Sequence, residues 1–381
     1  MPAHVVVVGA GLAGSRCAQT LRAEGFGGAI TLVGEERHFP YERPALSKAF
    51  LAGERTELQL QPAGLWADLG IDLRLGTRAD RIDVAKKVMR TSSGDLRWDV
   101  LVLATGARPR RLPNLAAGTD VHVLRTLDDA HRLRQELLPG RRLAIVGAGF
   151  VGAEVASTAT DLGLDVALVD AGRLPFERLL GQEMGALLAD RYRAHGVDLR
   201  LGTGVGGLRR DRRGAVAALT LADGSELPAD VVLAAVGAEP AGDPLGLPTG
   251  IPTDGAGRTA FRDVYACGDV AAVWHAPSGR HLRLEHWTSA AGQAAAVART
   301  ILGGEEPSSS TPYFWSDQFG LRLQHVGSAD GWSRAVLEGS GDSIAARYLD
   351  ADDRLVAALL VNMPERVGEL RRQLVPELVA A

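Results

Sequence analysis

The sequence predicts an α/β protein built of two parallel-sheet units and a small C-terminal α+β domain, on three observations. An apolar strand, a glycine-rich turn, a helix and a second strand follow one another from His4. The same order recurs from Arg142. Beyond Gly303–Pro312, a Gly, Glu, Pro and Ser/Thr stretch that reads as a linker, the pattern changes to short strands and one helix. Strands that alternate with helices across short turns build parallel sheets, because the crossover helices cover the sheet faces.

In the first unit the pattern predicts a strand at His4–Val8, a turn at Gly9–Gly14, a helix at Ser15–Glu24 and a strand at Ala29–Val33. Ala13, Cys17 and Leu21 recur every four residues and mark the buried side of that helix. The second unit repeats this with Arg142–Val146, Gly147–Gly152, Ala153–Leu162 and Asp165–Asp170. Asp99–Gly106 reads as a buried strand ending in small residues, and Val231–Gly237 ends the second unit in the same way, so the chain carries a loose internal duplication. In the last segment Ser343–Leu349 and Leu355–Val361 form a hairpin around Asp350–Asp353. A helix near Glu365–Leu374 then places Val367, Leu370 and Leu374 on one face.

The 381 residues suffice for two or three domains. A net charge of −4 is not that of a nucleic-acid-binding protein, and no run of 18 apolar residues suggests a membrane span. Met1-Pro2-Ala3-His4 enters the valine strand at once, without a charged leader region or a small-residue cleavage site, so it reads as a strand rather than a signal peptide. Cys17 and Cys267 are isolated thiols, which fits a reducing compartment, and the expected location is the cytoplasm. The 46 glycines are about 12% of the chain against an average near 7%. They gather at the ends of apolar runs, where a phosphate-binding turn needs them. Basic charge is nearly all arginine, with Lys48, Lys86 and Lys87 the only lysines.

In Gly9-Ala10-Gly11-Leu12-Ala13-Gly14, the first glycine makes the tight turn and the second admits a pyrophosphate to the backbone. Gly14 lets helix pack on strand, and the helix N-terminus faces the anion. Glu35 or Glu36, at the end of the next strand, is placed to bond a ribose hydroxyl, although 26 residues from Gly9 to Glu35 exceeds the usual ~20. In the second motif, Gly147, Gly149 and Gly152 take the same three roles, and Asp170 ends the following strand. A carboxylate there bonds a 2′-hydroxyl and repels a 2′-phosphate, so NADH is expected over NADPH, with Arg173 the nearby residue that could accept the phosphate. Two such units imply two dinucleotides, held by two Rossmann-like (FAD/NAD(P)-binding) domains. A third element, Val264–Val270, runs a strand into Gly268-Asp269, where Asp269 could accept a hydrogen bond from a polyol such as the ribitol of a flavin.

These motifs, with Tyr41-Glu42-Arg43-Pro44-Ala45-Leu46-Ser47-Lys48 and Ala104-Thr105-Gly106, resemble the two-dinucleotide flavoprotein superfamily. Arg283–Trp287 and Phe314-Trp315-Ser316-Asp317-Gln318 narrow the resemblance to ferredoxin reductases of the putidaredoxin reductase and rhodocoxin reductase type. The resemblance spans essentially the whole chain. It implies a discontinuous FAD domain at 1–113 and 235–308, an NAD(H) domain at 114–234 and a C-terminal interface domain at 309–381. It implies that Gly9, Gly11, Gly14, Glu35, Glu36, Arg43, Lys48, Ala104, Thr105, Gly106, Gly268, Asp269 and Trp287 serve FAD. Gly147, Gly149, Gly152, Glu154, Asp170 and Gly237 serve the nicotinamide dinucleotide. Glu154 would approach the nicotinamide carboxamide, Trp287 would lie beside the isoalloxazine, and Trp315 would sit where an iron–sulfur partner docks. The chain departs from the group at Tyr313, often tryptophan, at Ala45, often proline, and in a short Gly237–Gly257 stretch. These departures bear on the partner rather than on FAD.

The expected activity is transfer of a hydride from NADH to FAD and of single electrons onward to a two-iron ferredoxin (or a rubredoxin) of an oxygenase system. Protein residues would mainly orient two rings, and Glu154, Trp287 and Trp315 are the candidates to do so. Arg283 and Arg322 are candidates for a basic docking patch. A disulfide reductase would need a Cys pair after the first glycine turn, and a single-thiol NADH oxidase a Cys near Tyr41–Lys48; neither is present. The alternatives are a nicotinamide-sensing flavoprotein of the apoptosis-inducing-factor type, without fast turnover, or an NADH oxidase. His281 and His286 are five apart with no Cys/His companions, so no metal site is expected.

Overall fold

The computed structural model describes residues 2–115, 120–275, 279–304, 311–328 and 331–374. Two five-stranded parallel sheets dominate it. The first runs Val264–Ala266, Val100–Leu103, His4–Val8, Ala29–Val33, Ile71–Arg74 across its width. The second runs Asp198–Leu201, Asp165–Asp170, Arg142–Val146, Val231–Ala234, Val121–His122. In each, the strand that feeds a glycine turn lies at the centre. Strands covered on both faces read as unbroken apolar runs, which is why Val5–Val8 and Leu143–Val146 show no polar alternation.

One face of the first sheet is covered by the helices Leu12–Ala23 and Trp287–Ile301, whose small residues Ala18, Ala294 and Ala298 let them approach closely. Cys17 and Cys267 are buried in this layer and unbonded. Burial pushes the Cys267 thiol up to about 12 and raises Cys17 too, with Cys267 adding to the latter. The other face is covered by a three-stranded antiparallel sheet between Ala79 and Arg97.

Both glycine-motif helices begin earlier than the pattern predicts, at Leu12 and Phe150 instead of Ser15 and Ala153. The reason is that Gly11 and Gly149 are the N-caps, so the last residues of each motif already form the first helical turn. The third part is a five-stranded antiparallel sheet in the order Tyr313–Gln318, Leu321–Gly327, Leu355–Val361, Ser343–Leu349, Arg334–Ser340. The helix Val367–Leu374 packs Leu370 on one face of this sheet. The opposite face, through Leu323, Tyr348 and Leu359, joins a single core with Ala156, Leu188 and Tyr192 of the second parallel-sheet unit. Residues 305–310 of the expected linker lie outside the described residues.

A feature with no sequence signal is the helix Glu177–Ala194, which is entered through Phe176 at φ 56° and interrupted at Gly181 (φ 81°). The Trp332 ring lies where a Gly181 side chain would project, 3.0 Å from the Cβ position. Among the described residues no helix is long and apolar enough to cross a membrane.

Candidate active site

The first glycine turn is set by contact with the neighbouring strand end. Gly9 has φ 109°, and a Cβ there would stand 2.1 Å from the Ala104 carbonyl oxygen. A Cβ on Gly14 would stand 1.9 Å from the Gly9 carbonyl oxygen, so Gly14 serves helix-to-turn packing behind the site. Gly11 leaves the helix without a side-chain cap, and no acid occupies the first turn. The uncapped N–H groups and the positive end of the helix dipole therefore face a cleft of about 1260 Å³. Its walls include Gly9, Gly11, Glu35, Glu36, Arg43, Lys48, Ala104–Gly106, Gly268, Asp269, Trp287 and Trp315, drawn from stretches far apart in the chain. This is the size and donor set that a dinucleotide pyrophosphate and its sugars require, so the residues fit FAD.

Along the cleft the charges are paired. Glu36 accepts from the Tyr41 hydroxyl and from Arg43 Nη2, each at 2.6 Å, and Arg43 Nη1 donates to the Arg125 carbonyl at 2.6 Å. Burial raises the Tyr41 phenol above its ordinary range, with Arg43 opposing this and Glu36 reinforcing it. Both candidate acids line the cleft; Glu36 is occupied in holding the Tyr41–Arg43 loop, while Glu35 is exposed. Asp269 accepts from Arg125 Nη2 at 2.8 Å. Arg125 was not foreseen. Its only sequence signal is its place just before Thr126, whose capping box with Asp129 starts the helix Leu127–Glu136.

At the far end of the cleft, Lys48 Nζ lies 2.6 Å from Glu154 Oε2. Ser47 is buried, and its hydroxyl donates to Glu154 Oε2 at 2.5 Å rather than capping the helix Ala49–Ala52. Ser316 of the C-terminal sheet donates to Glu154 Oε1 at 2.7 Å. Trp287 opens its helix and meets Trp315 edge-on, centroids 6.4 Å apart, while Trp315 stacks on Tyr313 at 6.2 Å.

The second glycine turn repeats the first. Gly147 has φ 108° and its Cβ position lies 2.4 Å from the Ala235 carbonyl oxygen; Gly152 again abuts the carbonyl of the first glycine, at 1.9 Å. Gly149 is an N-cap without a side-chain cap. Asp170 accepts from the Ala148 and Gly172 amides, each at 2.7 Å, which ties it to the turn, and Arg173 is exposed. Gly147, Gly149, Gly152, Asp170 and Gly237 stand outside the cleft wall, to which the second unit contributes Leu124–Thr126, Asp128, Phe150, Val151 and Glu154. The Lys48–Glu154 pair therefore joins the cleft of the first glycine turn to the helix that follows the second.

Of the expected docking arginines, Arg283 pairs with Glu285 and Arg322 with Asp317, so neither is a bare positive charge. Both cysteines lie away from the cleft wall.

Residues 3–294 match the family model described as pyridine nucleotide-disulphide oxidoreductase, and residues 313–377 match the one described as reductase C-terminal. The ferredoxin–NAD(+) reductase subunit of the benzene 1,2-dioxygenase system of Pseudomonas putida is 37% identical over 375 residues, 96% of this chain and 90% of that protein. A ferredoxin–NAD(P)(+) reductase of a Sphingomonas species is 36% identical, covering 94% of this chain and 89% of its own length. The putidaredoxin reductase–putidaredoxin covalent complex contains a chain of the same fold, with a TM-score of 0.93 and 35% identity, covering 98% of this chain and 93% of that one. With a site built for two dinucleotides and these relatives over nearly its full length, the chain belongs to the pyridine nucleotide-disulphide oxidoreductase family, within its group of FAD- and NAD(P)H-using ferredoxin reductases.

Proposed function

We propose that the protein is a cytoplasmic, NADH-dependent ferredoxin reductase that serves a two-iron ferredoxin of an oxygenase system. The observation that carries this reading is the convergence of both glycine-turn units and the C-terminal strand on Lys48, Glu154, Trp287 and Trp315. FAD, when bound, takes a two-electron hydride from the nicotinamide and releases electrons one at a time.

Every other task falls to the chain. The amides of the helix starting at Leu12 hold the FAD pyrophosphate, Glu35 bonds a ribose, and Asp269 with Arg125 holds the polyol and pyrophosphate region. Ala104–Gly106 keeps the backbone low enough for close approach. Residues 1–113 and 235–308 form this half, and 309–381 cover the flavin edge with Trp315. In residues 114–234 the amides after Gly147 and Gly149 take the second pyrophosphate, and Gly237 lies at the strand end beside them. Asp170 accepts from a ribose 2′-hydroxyl and repels a 2′-phosphate, which supports NADH. The wall formed by Phe150 and Val151 excludes water where the two rings meet, and Trp287 orients the isoalloxazine.

Anaerobic stopped-flow mixing with NADH, then NADPH, then an oxidised two-iron ferredoxin tests the reading. Rapid bleaching of the flavin by NADH followed by reduction of the ferredoxin is expected. Bleaching with no onward transfer would favour a sensor of the apoptosis-inducing-factor type or an oxidase, and equal rates with NADPH would remove the cofactor assignment.

A further inference from the structure

The strand Tyr313–Gln318 presents two different faces. Tyr313, Trp315 and Asp317 are half-exposed, whereas Ser316 and Gln318 are buried on the opposite side. On that side the Tyr192 hydroxyl donates to Gln318 Oε1, Gln318 Nε2 donates to Ser316 Oγ at 3.0 Å, and Ser316 Oγ donates to Glu154 Oε1 at 2.7 Å. Burial, with Glu154 nearby, raises the Tyr192 phenol far above its ordinary range, so it remains a donor. Every hydrogen in this relay points toward Glu154. Neither Ser316, Gln318 nor Tyr192 is part of the cleft wall, and their hydrogen-bonded link to it runs through Glu154.

We propose that Ser316, backed by Gln318 and Tyr192, is a positioning residue for flavin reduction: it fixes the Glu154 carboxylate, which in turn holds the Lys48 ammonium on the cleft wall. The inference rests on the reading that nicotinamide and flavin meet at this pair. Ser47 and Lys48 both bind Oε2, so loss of Ser316 leaves the carboxylate's terminal torsion held through one oxygen alone and widens its swing. Lys48 itself has a long flexible stem, and its other bond is to the Pro44 carbonyl of its own loop, at 3.0 Å. Aligned donors strengthen one another in a buried site, so the relay stiffens the carboxylate more than Ser316 alone would.

The test uses holoprotein labelled with ¹³C at lysine Cε, which gives three signals because the chain has three lysines; Lys48→Arg assigns that of Lys48. In the wild type the Lys48 signal is expected to relax as a rigid group. In Ser316→Ala it should relax like that of Lys86, which is 78% exposed. The limiting rate of flavin reduction by NADH should fall about tenfold, through misplacement of the group, with the NADH Kd changed by less than about twofold. Ser316→Thr keeps the hydroxyl and should restore both readouts. Tyr192→Phe removes only the distant hydroxyl and should shift both in the same direction by less; it carries the test if Ser316→Ala does not fold. Unchanged Lys48 relaxation in variants that retain FAD would overturn the proposal. So would altered relaxation with an unchanged limiting rate, because Ser316 would then be structural only. A wild-type protein that NADH fails to reduce would end the reductase reading instead, and would end the positioning role with it.

Discussion

Lys48 and Glu154 form a 2.6 Å ion pair across the junction of the two parallel-sheet units, with side-chain exposures of 20% and 7%. The lysine comes from the loop after the first glycine turn and the glutamate from the first helix of the second unit. Removing one partner of such a pair leaves a charge and its hydrogen-bond donors buried without a counterpart. Glu154→Ala should therefore lower the unfolding free energy by about 3 kcal/mol. Glu154→Gln, which keeps the side chain's volume and one acceptor oxygen, for either Ser47 or Ser316, should cost less. Denaturant titration of the two holoproteins, followed by tryptophan fluorescence, measures the difference.

Asp170 accepts two backbone amides at 2.7 Å and closes the second glycine turn. Asp170→Ala should lower kcat/KM for NADH about tenfold, the worth of one hydrogen bond to a charged group. The value for NADPH should change less. Steady-state kinetics with both coenzymes checks this, and an unchanged preference would take Asp170 out of the nicotinamide site.

Arg125 holds Asp269 at 2.8 Å and lends its carbonyl to Arg43. Arg125→Ala should leave Asp269 without its cation and raise the FAD dissociation constant at least about tenfold. Release of FAD fluorescence on dilution reads this directly. Retention equal to wild type would mean that Arg125 only braces the apoprotein.

Trp315 lies between Trp287 and Tyr313 on the face of the strand away from Ser316. Trp315→Ala should slow electron delivery to a ferredoxin about tenfold while leaving flavin reduction by NADH within about twofold. Equal loss of both rates in stopped-flow would assign the residue to packing.

His325 is buried against Phe314, its ring stacked at 4.9 Å, and burial, with His286 adding to it, depresses its pKa to about 3. The unfolded chain therefore binds a proton that the folded chain refuses between about pH 6.5 and 3. Stability should be full above pH 6.5 and fall as the pH is lowered through that window, by up to about 1.4 kcal/mol per pH unit from this group. Burial lowers His286 too, which adds to the same acid sensitivity. His325→Phe, which keeps the stack, should flatten the slope of unfolding free energy against pH between 6 and 4; an unchanged slope would show that His325 is not the group responsible.

Much of this was legible in the chain because local rules govern it. The strand His4–Val8 and its repeat Arg142–Val146 were bounded correctly, since central parallel strands must be apolar throughout and end at a glycine turn. The steric demands on Gly9, Gly14, Gly147 and Gly152 follow from the motif alone. The helices start at Leu12 and Phe150, three residues before the pattern places them, because a glycine reads as turn until its role as an N-cap is visible.

What the sequence by itself determined was a pair of dinucleotide folds, the order of their parts and the residue types at each phosphate-binding turn, all set by interactions a few residues apart. Tertiary structure alone decided that Glu36 binds Arg43, that Arg125 pairs with Asp269, and that Ser47, Lys48 and Ser316 meet on Glu154. Those partners lie from 7 to 162 residues apart. Hydrogen bonds and ion pairs act over about 3 Å, so no local pattern records them until the sheets have packed and brought the chain segments together.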